Sequence, residues 1–368
     1  MLFRSMWLIC AGLALQPAAE PTASIVVIGQ DDAGDAERIN AAIEASPEGA
    51  EILLRGRFLL TAPVRLLGDR AYRGDSRAGT VLRQADGAGL PALMVSASWL
   101  SNSEWTDHPL AVRHLRLDGN RSGNPDTPTV GLLLRAWLTT VEDVHIRECG
   151  SDGIRLTSVG AEGGGLRSTQ VNGRLQHLFI DGSGRHGIYI EDPQNQVTDW
   201  ILADSWIAGS GEDGIRMENA AGWMVQRNHI YGVGRHAIDA QRAFGTVISD
   251  NYIEGFGESR QPVTFYGLRV TLQGDSASTI SGNRIFNHGG EPTEGAEYRY
   301  LGVSVNYGHG VATVSGNAIR GSGTPRGVGL RYTTDGERSM KVVSVGNVVE
   351  SVAVPRHVGG DVVLDAGL

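Results

Sequence analysis

The middle of the chain repeats one phrase, which reads Gly150-Ser-Asp-Gly-Ile154, Gly184-Arg-His-Gly-Ile188, Gly211-Glu-Asp-Gly-Ile215 and Gly234-Arg-His-Ala-Ile238. Successive copies begin 34, 27 and 23 residues apart. A self-similar unit of this length indicates one supersecondary element that is stacked many times. Stacking aligns equivalent side chains on neighbouring coils, so the repeat also predicts where side chains can cooperate as a site.

A second repeated element has an asparagine followed, two residues later, by an apolar residue. It occurs at Asn228-His-Ile, Asn251-Tyr-Ile, Asn283-Arg-Ile, Asn317-Ala-Ile and Asn347-Val-Val. An asparagine at the same turn of successive coils can bond the backbone and side-chain amides of its neighbours. We therefore predict an asparagine ladder with a structural role.

Composition narrows the class of protein and of partner. The 368 residues include 51 glycines and only 6% aromatic residues, which is typical of many short strands joined by tight turns. The net charge of −9 argues against sequence-independent binding of nucleic acid, so we expect no nucleic-acid partner. Beyond the N-terminus no segment is long and apolar enough for a membrane helix, so no membrane span is expected.

The N-terminus has the pattern of a secretory signal. Arg4 precedes an apolar stretch from Met6 to Leu15, and the small residues Ala18 and Ala19 follow. We predict a signal peptide over residues 1–23 and a secreted or periplasmic location. Of the two cysteines of the chain, only Cys149 remains once this segment is removed, so no internal disulfide is expected.

The chain divides into a short first part and a long repetitive part of the same domain. An amphipathic pattern predicts a helix from Asp35 to Ser46, and strand-like runs follow it. We assign residues 24–110 to an N-terminal cap and first coils, and residues 111–368 to a parallel β-helix. Alternating strands separated by repeated turns predict this solenoid.

The first part also carries a family resemblance. Ala41-Ala-Ile43, then Gly49 and Ile52-Leu-Leu-Arg-Gly56-Arg-Phe58, resembles the start of the right-handed parallel β-helix proteins of the pectate-lyase (pectin lyase-like) superfamily. The resemblance extends from roughly residue 30 to the C-terminus. It implies an all-β fold, a single-stranded right-handed parallel β-helix with a short N-terminal capping helix. This fold carries lyases, hydrolases, epimerases, transferases and non-catalytic spikes, so it does not choose an activity.

The alternation in Gly187-Ile-Tyr-Ile-Glu191 assigns side chains to faces. A period of two places the isoleucines inside and Tyr189 and Glu191 outside. The same register predicts one outward row of Arg155, Tyr189, Arg216, Asp239 and Arg269, a second of Thr157, Glu191, Glu218, Gln241 and Thr271, and a third, before the strands, of Asp152, His186, Asp213, His236 and Tyr266. Stacked strands are about 4.8 Å apart, so neighbours within a row are in contact range.

The rows contain groups that can cleave a uronate-containing glycan by β-elimination. That reaction needs a base for the proton α to the carboxylate and a cation or donor for the enolate. The candidate bases are His186, Tyr189 and His236, since an imidazole titrates near neutral pH. Arg216 is the candidate for neutralising the carboxylate. The candidate substrate-binding residues are Arg155, Gln241 and Arg269, because arginines bind carboxylates in a bidentate manner.

The same rows also contain the paired carboxyl groups of a glycoside hydrolase or a fructan-type transferase. Glu191 and Glu218 occupy equivalent positions on adjacent coils, where each raises the pKa of the other, and Asp239 is diagonal to Glu218. Ile146-Arg-Glu148-Cys149-Gly150 is similar to a segment of inulin fructotransferases. Ala237-Ile-Asp239-Ala-Gln241 resembles the Gly-Phe-Asp-Pro-His strand of alginate epimerases at Asp239, but it lacks the Pro-His part.

Two further interpretations stay open at this stage. Asp192 and Asp213 are candidate ligands for Ca²⁺, although their spacing matches no calcium motif. The alternating Asp and His row can instead be a ladder that removes like-charge repulsion between coils, and Arg216–Asp239 can be a surface ion pair. The chain would then be a non-catalytic, glycan-binding solenoid.

We predict an exported carbohydrate-active enzyme that binds a polysaccharide or oligosaccharide in a groove on one outward sheet face. Among reaction types we favour a lyase acting on an acidic glycan. The alternatives are the hydrolase or transferase and the non-catalytic solenoid. The sequence pattern identifies neither the sugar that is bound nor the oligomeric state of the protein.

Overall fold

The structure is a computed structural model that describes residues 24–29, 35–106, 109–259, 261–287, 294–323 and 326–367. The predicted signal peptide, residues 1–23, lies outside the described residues. An α-helix, Asp35–Ala45, confirms the predicted helix, and a short helix and a 3-10 turn follow at Ala97–Leu100 and Arg121–Gly123. None of the described helices is long and apolar enough to cross a membrane.

Eleven of the described strands form one parallel sheet, in which each strand pairs with the equivalent strand of the next coil. They are Val64–Leu66, Ala92–Ser96, Val130–Leu134, Ile154–Thr157, Ile188–Glu191, Ile215–Met217, Ile238–Ala243, Thr264–Gln273, Glu297–Tyr307, Gly327–Thr333 and Val354–Gly359. We call this the groove sheet. All three predicted outward rows lie on its strands or on residues directly before or after them.

The remaining walls of the coil form a second parallel sheet of 21 described strands. They are Ile25–Gly29, Glu51–Leu60, Arg70–Gly74, Thr80–Gln84, Leu110–Asp118, Thr140–Arg147, Arg174–Gln176, Phe179–Asp181, Ile201–Ala203, Trp206–Ala208, Met224–Gln226, His229–Val233, Val247–Ser249, Tyr252–Phe256, Ser278–Ser281, Arg284–Phe286, His309–Ser315, Ala318–Arg320, Ser339–Val345, Val348–Glu350 and Asp361–Asp365. A two-stranded pair, Gln170–Val171 with Val197–Thr198, completes the described strands. The result is the predicted parallel β-helix.

The repeated phrase shapes each coil through its glycines and isoleucines. Ile154, Ile188 and Ile215 are fully buried and stack in register inside the coil. A Cβ atom on Gly187 would lie 2.4 Å from Ile207 Cγ2 and 2.6 Å from Gly214 O, so only glycine fits there without a backbone shift. The phrase therefore combines a core residue with a close approach between successive coils.

The asparagine ladder is confirmed. Asn228 donates through Nδ2 to Asn251 Oδ1 at 3.1 Å, and Asn251 donates to Asn283 Oδ1 at 3.0 Å. Asn317 and Asn347 continue the series. Each acceptor oxygen also takes the backbone N–H of the preceding asparagine, for example Asn228 N at 3.0 Å. The ladder thus satisfies the turn amides that strand pairing leaves free.

The predicted register of the main outward row is also confirmed. Arg155 pairs with Tyr189, Tyr189 with Arg216, and Arg216 with Asp239. Asp239 pairs in turn with Arg269. A bulge follows between Ala240 and Ala243, so the second row shifts its register at Gln241.

Candidate active site

The candidate site lies on the outward face of the groove sheet, where Tyr189 contacts a glutamate of the next coil. The Tyr189 hydroxyl donates to Glu218 Oε1 at 2.6 Å, and Glu218 Oε2 accepts the backbone N–H of Asp192 at 3.0 Å. Burial, followed by the hydrogen bond to Glu218, raises the pKa of the Tyr189 hydroxyl. The phenol is therefore neutral at rest and donates a hydrogen bond to the Glu218 side chain.

Two arginines cover the Tyr189 ring. The Arg185 guanidinium carbon lies 4.6 Å from the ring centroid and that of Arg155 lies 5.7 Å from it. Tyr189 is only 9% exposed, so the residue reaches the surface by a small part of its area. The tyrosine is consequently covered by two guanidinium groups rather than exposed as an open platform.

Asp152 fixes both of these arginines. Arg185 Nε donates to Asp152 Oδ1 at 2.8 Å, and Arg155 Nε donates to Asp152 Oδ2 at 2.9 Å. Asp152 is fully buried, and despite that burial the hydrogen bond from Arg185 and the charge of Arg155 lower its pKa. The sequence interpretation missed Arg185, although an arginine recurs at the same place of the phrase as Arg235.

The next coil carries Arg216 in contact with Asp239. Asp239 Oδ2 accepts from Arg216 Nη1 and also lies 3.4 Å from Arg269 Nη1. With its amide oxygen facing Arg216, Gln241 accepts from both terminal nitrogens at 3.1 Å. Asp239 is fully buried, so this pair differs from an ordinary surface ion pair, in which both partners are exposed. One carboxylate instead orients two guanidinium groups that are themselves partly exposed.

Glu191 lies beside Glu218 in the second outward row. Its Oε2 accepts from Thr157 Oγ1 of the preceding coil at 2.8 Å. Glu218 follows the strand Ile215–Met217, and its backbone N–H bonds Ile190 O, so the two glutamates are equivalent in register. Both carboxylates are half-buried on one face.

The Asp and His row is a ladder of backbone hydrogen bonds. Asp152 Oδ1 accepts the N–H of His186 at 3.3 Å, and His186 Nδ1 accepts the N–H of Asp213 at 3.2 Å. Asp213 Oδ1 accepts the N–H of His236 at 2.9 Å, and His236 Nδ1 accepts that of Tyr266 at 3.1 Å. Alternating acceptors therefore connect successive coils, which favours the structural interpretation of this row.

The expectation that these imidazoles titrate near neutral pH is wrong. Burial is the largest cause and lowers the pKa of both His186 and His236 to about 3. A neutral imidazole whose Nδ1 accepts a backbone N–H keeps its proton on Nε2. Neither ring nitrogen then offers the free lone pair that a general base requires.

The two histidines should make the fold sensitive to acid. Between pH about 3 and 6.5 the unfolded chain binds more protons at His186 and His236 than the folded chain, so acidification lowers the free energy of unfolding. Asp213 opposes this, because burial raises its pKa from 3.8 to about 6 and the folded chain binds that proton more tightly. Two histidines outweigh one aspartate.

We therefore expect the double variant His186→Asn/His236→Asn to lose less stability than the wild-type chain on acidification from pH about 7 to 4. An asparagine oxygen can replace Nδ1 as the acceptor but does not titrate. Urea unfolding at a series of pH values measures the slope, with the exposed His357→Asn as control. Equal slopes for wild type and double variant would refute the assignment.

The proposed calcium ligands lie apart. The Asp192 carboxylate accepts the N–H groups of Gln196 at 2.8 Å and of Val197 at 2.9 Å, so it closes the turn that follows the strand Ile188–Glu191. Asp213 precedes the adjacent strand Ile215–Met217, so it lies at the opposite strand end from Asp192. In the described part of the chain no three His, Cys, Asp or Glu side chains are grouped to hold a metal ion. The structure thus does not combine Asp192 and Asp213 into one site.

Comparison with known proteins assigns the family. The sequence matches the family described as "Right handed beta helix region" over residues 130–351. The chain belongs to the right-handed β-helix family. This confirms the predicted right-handed parallel β-helix and the predicted superfamily. A comparison with curated protein sequences gave no significant match.

Several solved β-helix structures share this fold at low sequence identity. The A-module of the mannuronan C-5 epimerase AlgE4 of Azotobacter vinelandii superposes with a TM-score of 0.61 at 16% identity, covering 90% of this chain and 96% of the module. An α-1,3-glucanase catalytic unit of Streptomyces thermodiastaticus gives 0.54 at 12%, with coverage of 96% and 68%. Tailspike protein 2 of bacteriophage CBA120 gives 0.54 at 10%, with coverage of 89% and 43%. At these identities the similarity shows a shared fold and nothing further.

Proposed function

We propose that the protein is a polysaccharide-active enzyme that cleaves an acidic glycan by β-elimination on the groove sheet. The observation that carries the proposal is the Tyr189–Glu218 hydrogen bond of 2.6 Å beneath two arginines, with Arg216 on the adjacent coil. This arrangement provides a proton-transfer pair and cations for a carboxylate within one small area.

Tyr189 and Glu218 would act together as the base. As the Tyr189 oxygen takes the proton α to the uronate carboxylate, its own proton passes to Glu218. The electron pair of the broken C–H bond forms the carbon–carbon double bond, the bond to the leaving oxygen breaks, and water protonates that oxygen. The hydroxide that remains takes the proton from Glu218, which restores the carboxylate beside a neutral Tyr189. Because Tyr189 has a raised pKa, it depends on Glu218 to accept its proton. His186 and His236 are left as positioning residues of the ladder.

Arg216 would stabilise the charge that develops on the substrate carboxylate. Asp239 fixes the guanidinium from one side and leaves a quarter of the Arg216 side chain exposed on the groove face. A donor held in place before the reaction stabilises an enolate without reorganisation. Arg155, Gln241 and Arg269 border the same surface and would bind further parts of the glycan.

The names of the structural neighbours support the broader part of the proposal. Mannuronan C-5 epimerase and α-1,3-glucanase are both names of enzymes that act on polysaccharides. These names support a polysaccharide as the substrate. The secreted or periplasmic location rests on the predicted signal peptide alone. The N-terminal signal is tested by sequencing the N-terminus of the exported protein.

A glycoside hydrolase or transferase is the second candidate. The observation that favours it is the equivalent position of Glu191 and Glu218 on neighbouring coils, since hydrolysis requires two carboxyl groups. The two mechanisms differ in product. Elimination leaves an unsaturated sugar, whereas hydrolysis and transfer leave saturated ends.

A variant separates these candidates. We expect Glu191→Gln to retain most of the elimination activity, because Glu191 accepts a hydrogen bond from Thr157, whereas the Tyr189 hydroxyl bonds Glu218. Under a two-carboxylate mechanism the same change would lower turnover by several orders of magnitude. Initial rates on acidic polysaccharides, followed by the ultraviolet absorbance of the unsaturated product and by reducing-end assay, decide between them. Loss of both signals in Glu191→Gln contradicts the elimination mechanism.

A further inference from the structure

A second tyrosine on the groove sheet is surrounded by arginines. The guanidinium carbons of Arg269 and Arg299 each lie 5.5 Å from the centroid of the Tyr266 ring. Arg299 Nη1 also donates to the Tyr266 hydroxyl at 2.7 Å. The group repeats the arrangement of Tyr189 beneath its two arginines, at a different place along the solenoid.

A glycine makes room for this ring. Gly302 pairs with Arg269 on one side and with Arg331 on the other, so it occupies the main outward row between two arginines. A Cβ atom on Gly302 would lie 2.6 Å from Tyr266 Cε1. The Tyr266 ring therefore covers the position where a side chain of this row would otherwise stand, and any larger residue would displace it.

The cluster has fewer carboxylates than guanidinium groups. Arg299 Nη2 bonds Glu297 Oε2 at 2.7 Å, and Arg269 shares the buried Asp239 with Arg216. Arg331 donates a hydrogen bond to the hydroxyl of Thr333, and it forms no ion pair with another described residue. Burial, then the charge of Arg299, lowers the pKa of Arg331.

We propose that Tyr266, Arg269, Arg299 and Arg331 form a separate subsite that binds an acidic sugar of the same glycan chain. The Tyr266 ring contacts the apolar face of the sugar, and the arginines bind its carboxylate. This inference rests on the proposed function for the identity of the ligand, but not for the existence of an anion-binding site.

The distance between the two tyrosine groups sets the length of glycan required. The strand Thr264–Gln273 is three strand steps from Ile188–Glu191 in the groove sheet. At about 4.8 Å per step, this corresponds to about 14 Å, or roughly three sugar residues of an extended chain. A short oligouronate reaches only one group, whereas a longer one spans both.

Arg331→Gln tests the subsite, with Arg320→Gln on the other sheet as the matched control. Binding is measured calorimetrically in a Tyr189→Phe background, so that the glycan is not consumed, with short and long oligogalacturonates and oligomannuronates and with neutral oligoglucosides. We expect Arg331→Gln to weaken binding of long oligouronates about tenfold and to leave binding of short ones at the Tyr189 group unchanged. Arg331→Lys, which keeps the charge, should lie between wild type and Arg331→Gln.

The outcomes separate the two proposals. Equal affinity of Arg331→Gln and Arg320→Gln for long oligouronates overturns the subsite, and turnover by the wild-type chain then still supports the proposed function. Binding that depends on Arg331 without any turnover of acidic glycans keeps the subsite and overturns the proposed function. Binding of oligoglucosides as tight as that of oligouronates overturns the assignment to acidic sugars.

Discussion

Replacing Tyr189 with phenylalanine is expected to lower the turnover of an acidic polysaccharide by about 10²–10⁴-fold, the usual contribution of a positioned proton-transfer group. The change removes the oxygen that takes the substrate proton and the hydrogen bond of 2.6 Å to Glu218. It keeps the ring beneath Arg155 and Arg185. Because the ring is retained, KM should change far less than kcat.

The control for this prediction is Tyr231→Phe. Tyr231 lies in the strand His229–Val233 of the 21-stranded sheet and is 47% exposed. Steady-state rates and thermal unfolding are measured for both variants. A Tyr189→Phe variant with wild-type kcat would show that the phenol takes no part in the reaction.

Replacing Asn251 with alanine is expected to lower the free energy of unfolding by about 3 kcal/mol. Asn251 is fully buried, and its side chain bonds the backbone N–H of Asn228 and the carbonyl of Val225. Alanine leaves both backbone groups buried without these partners. Leaving a buried polar group unsatisfied costs about 1–3 kcal/mol for each group.

The end of the same ladder supplies the control. Asn347 makes the same kinds of bond, to Asn317 and to the Val314 carbonyl, but it is half-buried. Water can replace its bonds, so Asn347→Ala should cost less than about 1 kcal/mol. Urea unfolding of the two variants measures the difference. Equal losses would mean that the ladder does not act through burial of its polar groups.

Much of the architecture followed from two periods in the sequence. The alternation in Ile188-Tyr-Ile-Glu191 fixes which side chains face inward, and the repeated phrase fixes which residues of successive coils are neighbours. Both depend only on backbone geometry, so the rows and the asparagine ladder could be predicted without coordinates. The exception is Gln241, where a bulge shifts the register.

The partners of the outward side chains could not be predicted in the same way. Tyr189 has Arg155 and Arg216 as row neighbours, yet its hydroxyl reaches Glu218 of the second row. A long side chain selects among several neighbours by rotamer, and period two does not specify the rotamer. The Arg185 contact was missed for the same reason.

The burial of the alternating Asp and His row also could not be predicted from the sequence. His186 and His236 precede the strands, where alternation gives no inside or outside, and the structure buries both. Burial then changes their protonation behaviour and their role. Both histidines were candidate bases because of their residue type, but in the structure each accepts a backbone N–H through Nδ1.

The most direct test of the central claim is the identity of the product released from acidic polysaccharides. Purified wild-type chain is incubated with a panel of uronate-containing and neutral polysaccharides, and products are analysed by ultraviolet absorbance and mass spectrometry. We predict unsaturated oligouronates, each lighter by one water than the corresponding hydrolysis product, and none from the neutral glycans. Saturated products alone, or epimerised sugar residues in a chain that is not cleaved, would contradict β-elimination at Tyr189 and Glu218.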